Sequence, residues 1–379
     1  MAVRRAVIVP RHWPTTDTWE SGRPAWCLAT ALVQLGWSVD VMTTCIDTVD
    51  RSYRVDNTPD PAGYTEIRTT FGEIAPFRLA MARTLSQRAP GDLVIVTQPG
   101  HYGHAAIQTA RGWGARSLVY LTGTDVMGDL QHGYWAPFMA WPLMEADGVV
   151  AATRQMATAV QPARPGRLTD VLLEPSPVRP DLPLPSHRQA DAEVLRIGVI
   201  GMARDGSELG EVLAAFGTVH GRCPASRLVL RVDPTAPVRR QLADWAASAP
   251  GPAGAVETVP VGDDADLGRF LATCDQVWVP MRQTVSLAPV LAAMAAGVPL
   301  VAADGGAVGD VLSTGVNAQI VPPGHAEPLA AAALRCLADP ARARQMAAAA
   351  RAAVPAAATP AGFAARLAEI LTGMRLTPP

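Results

Sequence analysis

Short apolar segments rich in β-branched residues alternate with longer amphipathic or alanine-rich segments along most of the chain. In the first half, the apolar segments predict strands at 6–9, 38–43, 92–97, 117–121 and 148–151. The segments between them predict helices at 24–36, 77–89 and 103–112, and a further helix from 155. Strands that alternate with helices in this way are typical of a parallel sheet covered by helices, so the first half is predicted to be α/β.

The same alternation returns in the second half. Strands are predicted at 196–200, 227–232, 276–279 and 299–302, and helices at 208–219, 266–272, 289–296 and across 327–352. Between 164 and 192 the pattern weakens and prolines concentrate, which predicts a linker. The chain is therefore predicted to fold as two α/β domains, 1–185 and 186–360. Open α/β sheets bind ligands beyond the carboxyl ends of their strands, so two of them would enclose a central cleft.

Composition and charge narrow the function classes. The chain has 379 residues, of which 49% are hydrophobic and 17% charged, and this balance excludes a disordered protein. The formal net charge is −2, and all 32 basic positions are arginine. A general nucleic-acid binder needs a strongly basic face, so we expect no nucleic acid partner.

The cysteines and the apolar stretches bear on the compartment. Five cysteines lie far apart without a CxxC pair (Cys27, Cys45, Cys223, Cys274 and Cys336), which argues against a disulfide framework or a zinc site and favours reduced thiols. The first residues lack the apolar run of a signal peptide. The longest uncharged stretch, 285–303, is broken by Pro289, Gly297 and Pro299, so no transmembrane segment is expected. These features predict a cytoplasmic protein without a metal ion.

An ordered series of motifs in the second half resembles the nucleotide-binding domain of GT-B glycosyltransferases, specifically glycosyltransferase family 4. The series is RIGVIG (196–201), a helix ending LAAF (213–216), LATCDQVWVP (271–280), LAAMAAGVPLVAADGGAVGDVLSTG (291–315), IVPPG (320–324) and LADP (337–340). The first half is more loosely similar to the acceptor domain of the family, in ESGRPAWCLATALVQLGWSVDVMT (20–43), YLTGTDV (120–126) and MEADGVVAAT (144–153).

The resemblance implies a GT-B architecture, in which two Rossmann-like domains face a central cleft. It also implies an N-terminal acceptor-side domain, a C-terminal nucleotide-sugar-side domain, and a helix within 361–379 that returns to the first domain. The implied reaction transfers a sugar from a nucleotide-sugar donor to an acceptor with retention of configuration. It needs neither a metal nor a resident cofactor.

The chain departs from the family at the positions that normally hold the donor. The Arg and Lys of the first loop of the second domain correspond to Met202 and Ser207. The two glutamates spaced by eight residues correspond to Thr284 and Ala292. Other departures are Val285, Ser286 and Leu287 in place of a glycine-rich turn, Thr122 in place of a histidine, and Ser176 and Arg179 in place of an Asn and an Asp.

The residues in the corresponding loops are the donor-binding candidates. They are Gly22, Gly201, Arg204, Ser207, Arg282, Thr284, Val285, Ser286 and Leu287. Arg204 and Arg282 are the cations that could replace the missing pair, or they are solvated surface charges. Ser286 either caps the following helix or holds a phosphate with the free amides there. Arg11 and Arg23 follow the first strand and are further candidates for an anion contact.

Catalytic candidates lie after strands of the first half. His101 and His104 in PGHYGH could orient or deprotonate an acceptor hydroxyl, and Asp125 could hydrogen-bond an acceptor or sugar. The alternatives are surface histidines and a turn aspartate. Aromatic residues that are candidates for an acceptor pocket, or for core packing, are Tyr102, Trp113, Tyr134, Trp135 and Trp141.

Three functional hypotheses follow from these residues. The leading one is a glycosyltransferase acting on a small-molecule acceptor, with a lysine-free composition that suggests a GC-rich bacterial genome and specialised-metabolite biosynthesis. The alternative is a pseudo-glycosyltransferase, which is an inactive partner of another protein, a scaffold, or an enzyme that couples non-sugar units. A third reading, a small-molecule binding module, differs from the first by its lack of turnover.

Overall fold

The fold was analysed in a computed structural model. The described residues are 3–10, 19–46, 54–59, 62–71, 86, 89–123, 126, 130, 133, 136–180, 194–203, 206–233, 235–248, 254–283 and 286–376. They form two compact units, of which unit 1 comprises Met1–Pro175 with Thr359–Pro379, and unit 2 comprises Ser176–Ala358. The division at 185/186 and 360/361 into independently folding domains stays a prediction.

Unit 1 is built on a sheet that has eight strands within the described part of the chain, in the order β3-β4-β2-β1-β5-β6-β7-β8. The strands are β1 (Arg5–Val9), β2 (Ser38–Ile46), β3 (Arg54–Pro59), β4 (Tyr64–Phe71), β5 (Leu93–Val96), β6 (Arg116–Leu121), β7 (Gly148–Ala151) and β8 (Asp170–Val171). The helices described in this unit are α1 (Trp19–Gln34), α2 (His101–Trp113), α3 (Ala136–Glu145), α4 (Arg154–Val160) and, near the end of the chain, α11 (Pro360–Gly373). Neighbouring strands pair in parallel except β3 and β4, which form an antiparallel edge.

Unit 2 has a fully parallel sheet with the order β11-β10-β9-β12-β13-β14 in its described residues. Its strands are β9 (Leu195–Val199), β10 (Ser226–Arg231), β11 (Val256–Val259), β12 (Gln276–Val279), β13 (Leu300–Ala303) and β14 (Gln319–Val321). Its described α-helices are α5 (Leu209–Arg222), α6 (Ala236–Ser248), α7 (Asp264–Ala272), α8 (Ala288–Ala296), α9 (Ala326–Ala338) and α10 (Pro340–Ala352). The predicted α/β fold, with a parallel sheet in each half, is confirmed.

The core of unit 1 lies on the central strands. β1, β5 and β6 are buried along nearly their whole length, as continuous apolar strands of a covered parallel sheet should be. Tyr120 in β6 is fully buried, and its hydroxyl donates to the carbonyl of Leu172 over 3.0 Å. Phe363 and Leu367 of α11 belong to the same core, so the last helix packs within unit 1.

The predicted linker is partly wrong. Residues 164–175 belong to unit 1, where β8 pairs with β7 and Leu172 is fully buried. The stretch was predicted to be a linker because it is rich in proline, and only two of its residues pair as a strand. Its side chains nevertheless reach the core of unit 1. Much of the segment after it, 181–193, lies outside the described residues.

Gly198 in β9 allows α7 to approach the sheet of unit 2. A Cβ atom at this position would lie 2.5 Å from Cys274 Sγ and 3.0 Å from Phe270 Cζ. We therefore expect Gly198→Ala to lower the free energy of unfolding by about 1–3 kcal/mol through overpacking. Urea unfolding followed by tryptophan fluorescence would measure it.

Gly210→Ala in α5 is the matched control, because a Cβ there meets no atom within 4 Å. It should raise the stability by about 0.5–1 kcal/mol through helix propensity. A Gly198→Ala protein as stable as Gly210→Ala would show that α7 does not need this close approach.

Candidate functional site

The strand order of unit 2 places its candidate site between β9 and β12. The chain leaves β9 toward β10 on one side, while β12 pairs with β9 on the other, so the strand order reverses here. Ligands of open α/β sheets bind at such a switch point, beyond the carboxyl ends of the two strands. The site is therefore formed by the loop from β9 to α5 and by the loop from β12 to α8.

The first of these loops begins with Gly201, whose φ is +73°. A Cβ on Gly201 would lie 3.2 Å from Pro289 Cβ and 3.4 Å from Met281 Cγ. Because it lacks a Cβ, the glycine lets the first loop pack against the start of α8. The atoms that come close to it belong to Pro289 and Met281 of the protein itself. A donor contact at Gly201 stays a prediction.

Two glutamates stand at the beginning of α5. Glu208 is 5% exposed, and its Oε2 accepts a hydrogen bond from the Ala203 backbone N–H over 3.0 Å. Glu211 lies one helical turn later, with a side chain that is 6% exposed. Both carboxylates were missed by the sequence analysis, because acidic residues at a helix start are ordinarily only favourable partners of the helix dipole.

Arg282 follows β12 and pairs with Glu211, with Nη2 3.0 Å from Oε2. The Arg282 side chain is 50% exposed, whereas that of Glu211 is buried. The guanidinium of the pair is therefore accessible to solvent and the carboxylate is not. Burial raises the pKa of the Glu211 carboxyl, and the charge of Glu208 adds to this increase, whereas Arg282 opposes it. Arg282 thus lies at the switch point with one side of its guanidinium engaged by Glu211, and its contact with a donor stays a prediction.

The raised pKa of Glu211 predicts a pH effect on stability. The folded protein holds this proton more tightly than the unfolded chain does. The free energy of unfolding should therefore fall as the pH rises from the ordinary glutamate value through the raised value. Glu211→Gln should remove this part of the slope in urea unfolding measured across a pH series. Parallel profiles for the variant and the unmodified protein would contradict this assignment.

The start of α8 combines a capped amide with an apolar helix. Ser286 Oγ accepts from the Ala288 N–H over 3.0 Å, as the capping alternative predicts. Leu287 is 2% exposed, so its side chain belongs to the core. Thr284 and Val285 lie outside the described residues.

The family positions Met202, Ser207 and Ala292 of unit 2 carry no charge. Ala292 is fully buried within α8, whose residues are nearly all buried. Met202 packs against the core, and Ser207 is exposed in the turn before α5. Arg204 lies outside the described residues.

In unit 1 the strand order reverses between β1 and β5, and the chain after β5 enters α2. His101 was predicted to precede the helix at 103–112, but the helix begins two residues earlier, so His101 and His104 both lie in the first turn of α2. His104 stacks on Trp141 of α3, with ring centroids 4.4 Å apart and planes inclined by 10°. The side chain of His101 and the whole of Asp125 lie outside what is described.

Close contact between α2 and α3 fixes this stack. A Cβ on Gly103 would lie 2.9 Å from Pro142 Cβ, so the glycine lets the two helices meet. The guanidinium of Arg111 also lies 5.6 Å from the Trp141 ring centroid, on the same pair of helices. Trp141 thus contacts both His104 and Arg111 of α2. The catalytic role of the two histidines stays a prediction.

The prediction that Gly22 and Arg23 lie in a loop is wrong. α1 begins at Trp19, so both lie in its first two turns, and Pro24 lies inside the helix. Arg23 is 4% exposed, and its Nη1 donates to Glu174 Oε1 over 2.6 Å and to the Pro175 carbonyl over 2.8 Å. Arg23 therefore serves the packing of unit 1, and Arg11 lies outside the described residues.

The described residues contain neither a metal cluster nor a membrane helix. They hold no group of three or more His, Cys, Asp or Glu side chains that could bind a metal ion. None of the described helices has the length and hydropathy needed to span a membrane. The cysteine side chains that are described, those of Cys27, Cys223, Cys274 and Cys336, form no disulfide, and burial raises the pKa of the Cys274 thiol to about 12.

Comparison with known proteins agrees with this fold. Residues 197–339 match the family model of the glycosyl transferases group 1. A sequence comparison with curated proteins finds no match.

Among solved structures, sucrose-phosphate synthase from Thermosynechococcus elongatus is similar with a TM-score of 0.79 at 17% identity, over 98% of this chain and 99% of the other. HepE from Anabaena, in complex with UDP and glucose, gives 0.75 at 17%, over 97% and 99%. A protein from E. coli described as trehalose-6-phosphate and bound with UDP-2-fluoro glucose gives 0.74 at 15%, over 99% and 100%.

These matches confirm the resemblance to GT-B glycosyltransferases, while the assignment to family 4 stays a prediction. The switch point between β9 and β12 lies inside the segment that matches the family model. The chain has the fold of the GT-B glycosyltransferases, and residues 197–339 of its second unit match the family model of the glycosyl transferases group 1.

Proposed function

We propose that the protein is a retaining, metal-independent glycosyltransferase that transfers a sugar from a nucleotide-activated donor to a small-molecule acceptor. The observation that carries the proposal is the glycosyl transferase group 1 domain, whose switch point holds the Gly201 loop, Arg282 and the start of α8. Solved structures with the same fold that contain UDP, glucose or UDP-2-fluoro glucose support a nucleotide-sugar donor. Family 4 membership and retention rest on the resemblance.

The donor diphosphate is proposed to lie at the start of α8. Amides that are not capped by Ser286 stabilise negative charge at a helix N-terminus, and the exposed face of Arg282 supplies a cation. These groups would stabilise the departing diphosphate, which is the largest requirement of the reaction. Further donor contacts are proposed at Gly201, Arg204 and Ser207.

The acceptor is proposed to bind to unit 1 near the start of α2. His101 and Asp125 remain the candidates for orienting an acceptor hydroxyl, and His104 is proposed to act together with the Trp141 ring. A role in bacterial specialised-metabolite biosynthesis in the cytoplasm fits the composition of the chain.

The second candidate function is a pseudo-glycosyltransferase that works with a protein partner or couples non-sugar units. Ala292 favours it, because a fully buried methyl group accepts no hydrogen bond from a donor ribose. The loss of one charge-assisted hydrogen bond weakens binding by about 1.5–3 kcal/mol, or about 10- to 150-fold. Common uridine and guanosine diphosphate sugars should therefore bind weakly.

Calorimetric titration with UDP, GDP, ADP and their hexose conjugates tests the proposal. At least one nucleotide sugar should bind, with common donors giving dissociation constants above about 1 μM. Lack of binding by the whole panel would contradict the proposed donor site. Sub-micromolar binding of an ordinary donor would show that other residues replace the missing donor contacts of the family.

A further inference from the structure

The loop between β9 and α5 already contains an anion. The Glu208 carboxylate folds back on the loop and accepts the Ala203 N–H over 3.0 Å. This amide lies two residues beyond Gly201, at the carboxyl end of β9, where the strand order reverses. Backbone amides in a loop that leads from a strand into a helix are the groups that ordinarily bind a phosphate oxygen.

The carboxylate is well shielded from water. Over the whole residue, Glu208 is 5% exposed and the neighbouring Glu211 is 9% exposed. Charges are weakly screened in such surroundings, so their effect on a nearby ligand exceeds that of a solvated surface glutamate. Burial is the main cause of the raised pKa of the Glu211 carboxyl, and the charge of Glu208 adds to it.

The cation at this site is partly compensated. Arg282 pairs with Glu211 over 3.0 Å, so its positive charge is balanced by that carboxylate. Glu208 adds a second negative charge, whose hydrogen bond goes to the Ala203 N–H and not to Arg282. When ionised, Glu208, Glu211 and Arg282 together carry one net negative charge. A nucleoside diphosphate brings at least two more, so the net charge of the three side chains opposes its entry even though Arg282 by itself attracts it.

We infer that Glu208 is a specificity-determining residue that disfavours ordinary diphosphate donors, because its carboxylate occupies a loop amide and adds a negative charge one helical turn from Glu211, the partner of Arg282. The inference rests on the proposed donor site in unit 2. It gives that site a preference for a donor whose phosphate region carries less negative charge than a free nucleoside diphosphate. Glu208 acts through charge and through the occupied amide, without itself touching the sugar.

Calorimetric titration of the full chain with UDP and with inorganic pyrophosphate tests the inference. Pyrophosphate reports on the phosphate region alone. Glu208→Gln keeps an acceptor for the Ala203 N–H and removes the charge, and should tighten the binding of both probes at least about tenfold. Glu208→Asp keeps the charge and should stay within about twofold of the unmodified protein.

Glu257→Gln is the matched control, because it removes a glutamate from the edge strand β11 of the same unit. It should change the affinity less than about twofold. The midpoint of thermal unfolding, recorded for every variant, identifies any variant that fails to fold.

The outcomes separate this inference from the proposed function. If the unmodified protein binds UDP and Glu208→Gln leaves its affinity unchanged or weaker, Glu208 only closes the loop and the inference is wrong, while the proposed donor site stands. If folded Glu208→Gln, Glu208→Asp and unmodified protein all fail to bind UDP and pyrophosphate, both the inference and the proposed donor site are wrong.

Discussion

Replacing Arg23 with methionine should destabilise unit 1 by about 3–5 kcal/mol, which is the usual cost of removing one partner from a buried ion pair. The side chains of Arg23 and Glu174 are 5% and 4% exposed, with Nη1 2.6 Å from Oε1. The same Nη1 donates to the Pro175 carbonyl over 2.8 Å, at the last residue of the first segment of unit 1. Methionine fills the space but leaves the Glu174 carboxylate buried without this cation.

Two further variants complete the test of the Arg23 pair. Arg23→Met with Glu174→Gln should recover part of the lost stability, because the buried charge is then gone. Arg269→Met breaks the exposed pair with Asp266, whose side chains are 71% and 50% exposed, and should cost less than about 1 kcal/mol. Equal effects of Arg23→Met and Arg269→Met in urea unfolding would show that the Arg23 pair does not stabilise the fold.

Replacing Arg282 with alanine should weaken the binding of a nucleoside diphosphate by about 10- to 150-fold, which corresponds to one charge-assisted hydrogen bond. The guanidinium lies after β12 at the switch point, and half of its side chain remains open to solvent beside Glu211. Its removal takes away a cation and leaves the negative charges of Glu208 and Glu211 without it. Both changes act against a diphosphate.

Titration calorimetry of the folded variant against UDP and ADP measures this loss. Arg269→Ala removes an arginine from the exposed face of α7 and should leave the affinity within about twofold. If Arg282→Ala binds these nucleotides as tightly as the unmodified protein, Arg282 pairs with Glu211 but does not contact the phosphate. The proposed phosphate contact would then have to be made by other residues of the loops.

The sequence predicted the central strands well, because each is a short run of apolar residues that a covered parallel sheet requires. β12 was predicted with its observed bounds, and β1, β5 and β13 lie within one or two residues of theirs. The edges were missed. β3 (Arg54–Pro59) is polar and ends in proline, β11 (Val256–Val259) contains Glu257 and Thr258 and is only partly buried, and β14 (Gln319–Val321) has only three residues.

The candidate site was only partly predictable. Arg282 and Ser286 could be placed at the switch point, because both follow a strand end and precede a helix. The roles of Glu208 and Glu211 depend on which amide and which guanidinium each carboxylate reaches, and spacing along the chain does not reveal such contacts. The stack of His104 on Trp141 likewise joins two helices that the sequence does not show to be neighbours.

Detection of a transferred sugar tests the central claim most directly. The full chain would be incubated with a panel of nucleotide sugars and small hydroxylated acceptors, and the products analysed by mass spectrometry together with the released nucleoside diphosphate. The account predicts that, for at least one donor, an acceptor gains the mass of one sugar as an equal amount of nucleoside diphosphate appears. A donor that binds while neither product forms with any acceptor would contradict a transferase and leave the pseudo-glycosyltransferase.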